Sequence, residues 1–203
     1  MAVVPGKLLH IIMITWLLAA CSVLPEPKSA MLDKYLLEYT PATAQETRAD
    51  APVLVVATPQ ANGAYDTARI AYMQQQYGLR YYTRSSWADT PARMLAPLMA
   101  EVLNASGRFQ ALYTSPGRVS AKLRLDAELL RFHQDFTQTP SEMHVTLRVQ
   151  LVNLETQRIV ATQLFDIREA ATSEDAYGGV LAANRAVARL LEALATFCAG
   201  QSV

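Results

Sequence analysis

Residues 122–170 read KLRLDAELLRFHQDF (122–136), TQTPSE (137–142), MHVTLRVQLVNL (143–154), ETQR (155–158) and IVATQLFDIREA (159–170). In the first run Leu123, Leu125, Ala127 and Leu129 alternate with Arg124, Asp126 and Glu128. In the second, Val145, Leu147, Val149 and Leu151 alternate with Thr146, Arg148 and Gln150. A period of two marks strands with one face in a core and one in water. The short connections predict that Lys122–Phe136, Met143–Leu154 and Ile159–Ala170 form an antiparallel meander. If Thr137 to Pro140 turns the first hairpin, Phe136 faces Ser141, Asp135 faces Glu142 and His133 faces His144.

Around this meander the chain supplies shorter elements. Tyr35–Thr40 reads as a strand ended by Pro41, and Pro52–Ala57 as a buried β-branched strand. Ile70–Gln76 and Leu79–Thr83 flank Gly78 as a tyrosine-rich hairpin. Phe109–Tyr113 is a further short strand, followed by a turn at Ser115-Pro116-Gly117. A helix begins at Thr90 and Pro91 and stops at Gly107, with Met94, Leu95, Leu98, Met99, Val102 and Leu103 as its apolar stripe. Pro97 inside it predicts a kink or a detached first turn. A second helix is expected from about Glu174 to Phe197. Its core stripe is Val180, Leu181, Val187, Ala188, Leu191, Leu194 and Ala195, and Arg185, Arg189 and Glu192 lie outside it. The expected architecture is α+β: a two-layer single domain in which a mostly antiparallel sheet of about six strands carries two helices on one face.

The chain has 203 residues, of which 51% are hydrophobic, with 18 basic and 18 acidic side chains. That supports one core of ordinary domain size. A net charge of zero argues against a nucleic-acid partner, which a basic excess would serve. The N-terminus reads as an address. Lys7 precedes an apolar run from Leu8 to Leu18 that ends in Leu18-Ala19-Ala20-Cys21. The run has signal-peptide length and is too short to span a membrane. The string matches a bacterial lipobox, so residues 1–20 are expected to be a lipoprotein signal peptide and Cys21 the lipidated first residue of the mature chain. More than one acyl chain gives stable membrane anchoring. Residues 21–30, with two prolines, form the lipidated Cys and a tether, and residues 31–203 the folded domain. Ser22, in place of Asp, resembles lipoproteins sorted to the bacterial outer membrane, which places the domain facing the periplasm. Cys198 is then unpaired and expected to be inert core.

No nucleophile elbow, zincin helix or Walker loop is present, and Gly178-Gly179 is too slight to cradle phosphate. No catalytic residue and no cofactor is expected, and the chain reads as a non-enzyme. Two features remain open. His133, His144, Asp135 and Glu142 on one strand face are zinc-ligand types, set against the plainer reading of a solvated hairpin tip. Tyr72, Tyr77, Tyr81, Tyr82 and Trp87 are either cross-strand packing or a protein contact, with Tyr81, Tyr82 and Trp87 the candidate partner interface.

From Val53 onward the local strings carry a resemblance. Tyr65-Asp66-Thr67-Ala68-Arg69-Ile70-Ala71-Tyr72 leads to Leu79-Arg80-Tyr81-Tyr82, then to Ser86-Trp87-Ala88-Asp89-Thr90-Pro91-Ala92-Arg93-Met94-Leu95. This resembles the ABC-type transport auxiliary lipoproteins, a group that includes paraquat-inducible protein C, over about residues 33–198. The resemblance implies a non-catalytic docking component at the outer-membrane end of a lipid trafficking system. Its implied partners are an inner-membrane ABC transporter and a mammalian-cell-entry type periplasmic protein. Phospholipid and a homo-oligomer are further candidate partners. The competing reading is a carrier that holds an acyl chain in its own cavity, with Met73, Met94, Met99 and Met143 as candidate lining.

Overall fold

The computed structural model describes residues 32–41, 44–113 and 120–201. The signal peptide, Cys21, the tether and the turn at Ser115–Gly117 lie outside the described residues. Among these residues nine strands and two helices occur, in the order β1 (Asp33–Tyr35), β2 (Val53–Val56), β3 (Gln60–Ala61), β4 (Arg69–Gln75), β5 (Gly78–Trp87), α1 (Pro91–Ala105), β6 (Gln110–Tyr113), β7 (Leu123–Asp135), β8 (Glu142–Asn153), β9 (Arg158–Ala170) and α2 (Ala176–Ala199).

The sheet is organised by β7. Its 13 residues span about 43 Å at ~3.3 Å per residue, long enough for three short strands to line up along one side. In sequence order β2 pairs with Leu123–Leu125, β3 with Glu128–Leu129 and β4 with His133–Asp135, all parallel. On its other side β7 pairs antiparallel with β8, and β8 with β9, as the alternation predicts. β6 adds to β2 and β1 to β5, both parallel, while β4 and β5 form the antiparallel hairpin. The sheet is therefore mixed, with nine strands rather than about six, and not mostly antiparallel. Parallel partners must be delivered by long crossovers, so hydrophobic alternation carries no record of them. The first strand is also shorter than expected: only Asp33–Tyr35 pairs, and Leu36–Pro41 leaves the sheet.

Both helices pack on one face. Leu54, Leu95, Met99, Leu103, Leu123 and Leu147 are fully buried between the layers. Met94 and Met143 are core side chains too, whereas Met73 pairs with Leu79 and is only half-buried. α1 runs unbroken through Pro97. Pro97 and Arg93 are both exposed, so the Arg93 carbonyl that lacks its helical donor faces water instead. Thr90 stands at the N-cap with no capping bond from its side chain. Asn104 holds both the N–H (2.7 Å) and the C=O (2.6 Å) of Ala111, locking β6 onto the helix. Gly107 takes φ 68°, the left-handed turn that ends α1 and favours glycine.

α2 is capped by Asp175, whose carboxylate accepts from the Gly178 N–H at 2.7 Å. Its buried stripe includes the expected Val180, Val187, Leu191 and Leu194. Ala183, Ala186 and Leu190 replace the expected Leu181, Ala188 and Ala195, which are half-buried. The small residues let the helix sit close on the sheet. A Cβ on Gly179 would lie 2.2 Å from Gln134 Oε1, and one on Gly178 would lie 2.1 Å from the Ser173 carbonyl. Close packing is thus the role of this glycine pair. Cys198 is core, and burial pushes its thiol up to about 12.

Candidate functional site

The sheet has two faces. One carries Leu125, Leu129, Val145 and Leu147 against the helices. The other carries Arg124, Asp126, Glu128, His133, His144, Thr146, Asp166 and Arg168. The predicted hairpin register holds: His133 lies opposite His144 and Asp135 opposite Glu142. The two imidazoles are 5.5 Å apart, edge to face, and both are buried.

Each histidine has its own partner. The Tyr65 hydroxyl lies 2.9 Å from His133 Nδ1. Burial, then the neighbouring His144, pushes His133 down to about 4, so this ring is neutral at pH 7. His144 Nε2 lies 2.7 Å from Asp166 Oδ1, and the Thr146 hydroxyl donates to the same oxygen. The Thr146 hydrogen bond, and after it the one from His144, hold the Asp166 carboxyl below the usual range, against a partial desolvation penalty.

This constellation resembles a hydrolytic relay in composition but not in wiring. A relay needs the nucleophile on one ring nitrogen and the carboxylate on the other. Here Thr146, at 3.3 Å, and Asp166 both meet His144 Nε2. As for zinc, Asp135 is occupied by the Thr137 N–H (2.9 Å) and hydroxyl (2.7 Å), and Glu142 faces Arg168. Among the described residues no three His, Cys, Asp or Glu side chains converge as a ligand set.

The aromatic hairpin divides. Trp87 is only 1% exposed and packs edge-on to Phe132, with ring centroids 5.5 Å apart. It is a core residue, and a partner cannot reach it in the folded domain, so the candidate interface loses that contact. Tyr81 donates to the Ala64 carbonyl at 2.8 Å under the Arg69 guanidinium, which lies 3.9 Å above its ring. Tyr82 donates to Gln134 Oε1 at 3.1 Å, and its ring lies 4.6 Å from that of Tyr72, tilted by 42°. Burial, with Tyr72 next, holds the Tyr82 phenol above its ordinary value. Tyr81 and Tyr82 are half-buried, while Tyr77 at the hairpin tip is 89% exposed and takes φ 66°.

β9 is the long free edge. Among the described residues it pairs with β8 alone. Near its C-terminal end, Arg185 and Arg189 of α2 take up the Ala170 (2.6 Å) and Arg168 (3.4 Å) carbonyls. Toward its start, Ile159 and Leu164 are exposed, and the Gln163 amide donates to the Leu164 carbonyl at 3.0 Å.

Sequence and fold comparisons join this geometry to relatives. The family model for the ABC-type transport auxiliary lipoprotein component matches residues 35–195. The chain belongs to that family. Protein XCC0632 from Xanthomonas campestris has the same fold as this family member: TM-score 0.66 and 22% identity over 79% of this chain and 91% of that one. A second solved protein, uncharacterized, aligns at TM-score 0.66 and 11% identity over 83% and 99% of the two chains. Protein CT253 from Chlamydia trachomatis aligns at TM-score 0.51 and 9% identity over 74% and 97%. These likenesses are of fold. No curated protein matches the sequence.

Proposed function

We propose that this auxiliary lipoprotein is anchored through Cys21 in the outer membrane, faces the periplasm, and does no chemistry of its own. In this reading it docks a mammalian-cell-entry type periplasmic protein and, through it, an inner-membrane ABC transporter. Together they move lipid between the membranes. The observation that carries the reading is the family match over residues 35–195. The wiring of the polar cluster fits it, because Thr146 and Asp166 share one nitrogen of His144. The free edge of β9 gives docking a physical route, since an extended segment can add to it as a further strand.

The carrier reading gains nothing from Met94, Met99 and Met143, which are buried side chains of the helix–sheet core. Purification of the native anchored protein from gently solubilised envelopes tests the proposal, with proteins and lipids identified by mass spectrometry. The expected result is recovery of a mammalian-cell-entry type protein or an ABC transporter. Recovery of this protein alone with stoichiometric phospholipid would replace docking by lipid carriage.

A further inference from the structure

Three exposed apolar side chains lie on the first described segment and on the first turn of α2 beside it. Leu32 is 49% exposed, Leu36 54% and Tyr177 54%. Tyr35, between the two leucines in sequence, brings its ring to 6.0 Å from Tyr177 in the first turn of α2. The corner is fixed. Asn184, two turns along α2, accepts from the Glu38 N–H at 2.9 Å and donates to the Leu36 carbonyl at 3.2 Å. Leu36 is thus held outward by a clamp, while the next residue, Leu37, is buried.

Cys21 precedes Leu32 by eleven residues. A fully extended chain of that length reaches about 40 Å, and a relaxed one about 20 Å. A lipid anchor at Cys21 therefore keeps this corner close to the bilayer at all times. At such effective concentration a patch too small to bind a membrane by itself can remain in contact. Leucine and tyrosine are also suited to the membrane–water boundary, where an apolar body and a polar tip are both satisfied.

We propose that Leu32, Leu36 and Tyr177 rest on the phospholipid surface of the anchoring membrane and orient the domain, which turns the outer face of the sheet away from α2 toward other partners. The proposal rests on the anchored-lipoprotein reading. Its test uses the full lipidated chain reconstituted in vesicles of phosphatidylethanolamine and phosphatidylglycerol. A fluorescent thiol label is placed at Leu36→Cys or, for reference, at Leu164→Cys on the opposite face of the sheet. Cys198 is buried and does not take the label. With brominated acyl chains in the vesicle, the label at position 36 should lose about half its emission while that at 164 is unchanged. A second variant, Leu32→Asp with Tyr177→Ser, should melt as the parent does and restore the emission at position 36. Equal quenching at both positions, or none at 36 with lipid confirmed on Cys21 by mass spectrometry, overturns the orientation proposal alone. An unmodified Cys21 overturns the anchoring and the orientation together.

Discussion

The two faces of the β7–β8–β9 meander share one backbone and differ in what holds them. The helix-covered face is a run of fully buried apolar side chains, including Leu125, Leu129, Leu147 and Val149. The opposite face is a ladder of partnered polar groups: Arg148 with Glu128 at 2.7 Å, Arg124 with Asp126 at 2.8 Å, His144 with Asp166 at 2.7 Å. Burial of apolar area stabilises the first. The second is worth little at its exposed rungs and more where His133 and Thr146 are buried. The domain thus has one face committed to stability and one with chemical variety to spare for recognition.

The contrast can be broken from its strongest side first. Trp87→Ala removes a buried indole from between the layers and should destabilise by about 3–5 kcal/mol in denaturant titration. A loss below about 1 kcal/mol would mean that Trp87 is not the core residue described. The pH dependence comes next. His133 is held near 4 when folded, against about 6.5 unfolded. The unfolded chain therefore binds the extra proton between these values, and stability falls as pH drops from about 6.5 to about 4. The loss is on the order of 3 kcal/mol, complete below the folded value. Asp166, whose folded value is lowered, adds a further loss as pH falls below the ordinary carboxylate range. His133→Gln should flatten the upper window in melts taken from pH 7 to 4, and an unchanged slope would contradict the assignment.

Gly179→Ala sets a methyl against the buried Gln134 amide and should cost about 2 kcal/mol. A gain in stability, as helix propensity alone predicts, would refute the close approach. The smallest effect belongs to the exposed ladder: Arg148→Ala should change stability by no more than about 0.5 kcal/mol. A larger loss would show the outer face to be structural.

Legibility in the sequence follows the same division. The His133–His144 facing pair could be counted from the turn because the bulge in β7, between Leu129 and Arg131, lies beyond it. The Asp166 partner could not. Counting outward from the second turn pairs Thr146 with Phe165, and the irregularity between Leu151 and Val152 moves the partner to Asp166. Tyr65 reaches His133 from a loop distant in sequence, and no periodicity predicts it. The parallel strands β2 and β4 were readable as segments, whereas β3, only two residues long, has no periodicity to read; the common partner of all three was not readable, because β7 is reached only after α1 and β6. Trp87 misleads because tyrosines surround it. The signal that could have placed it is position: the last residue of β5, three before Thr90, falls in the angle between sheet and helix. The Asn184 clamp on the N-terminal segment left no sequence signature.

On the proposed reading, the face and edge left free by the helices receive the partner. A photo-crosslinking residue at Leu164 or at Ile159 in living envelopes tests it most directly, with one at Glu192 on the helix layer as reference. Adducts with a mammalian-cell-entry type protein are expected from the two β9 positions and none from Glu192. Adducts from Glu192 alone would contradict it and move docking to the helices.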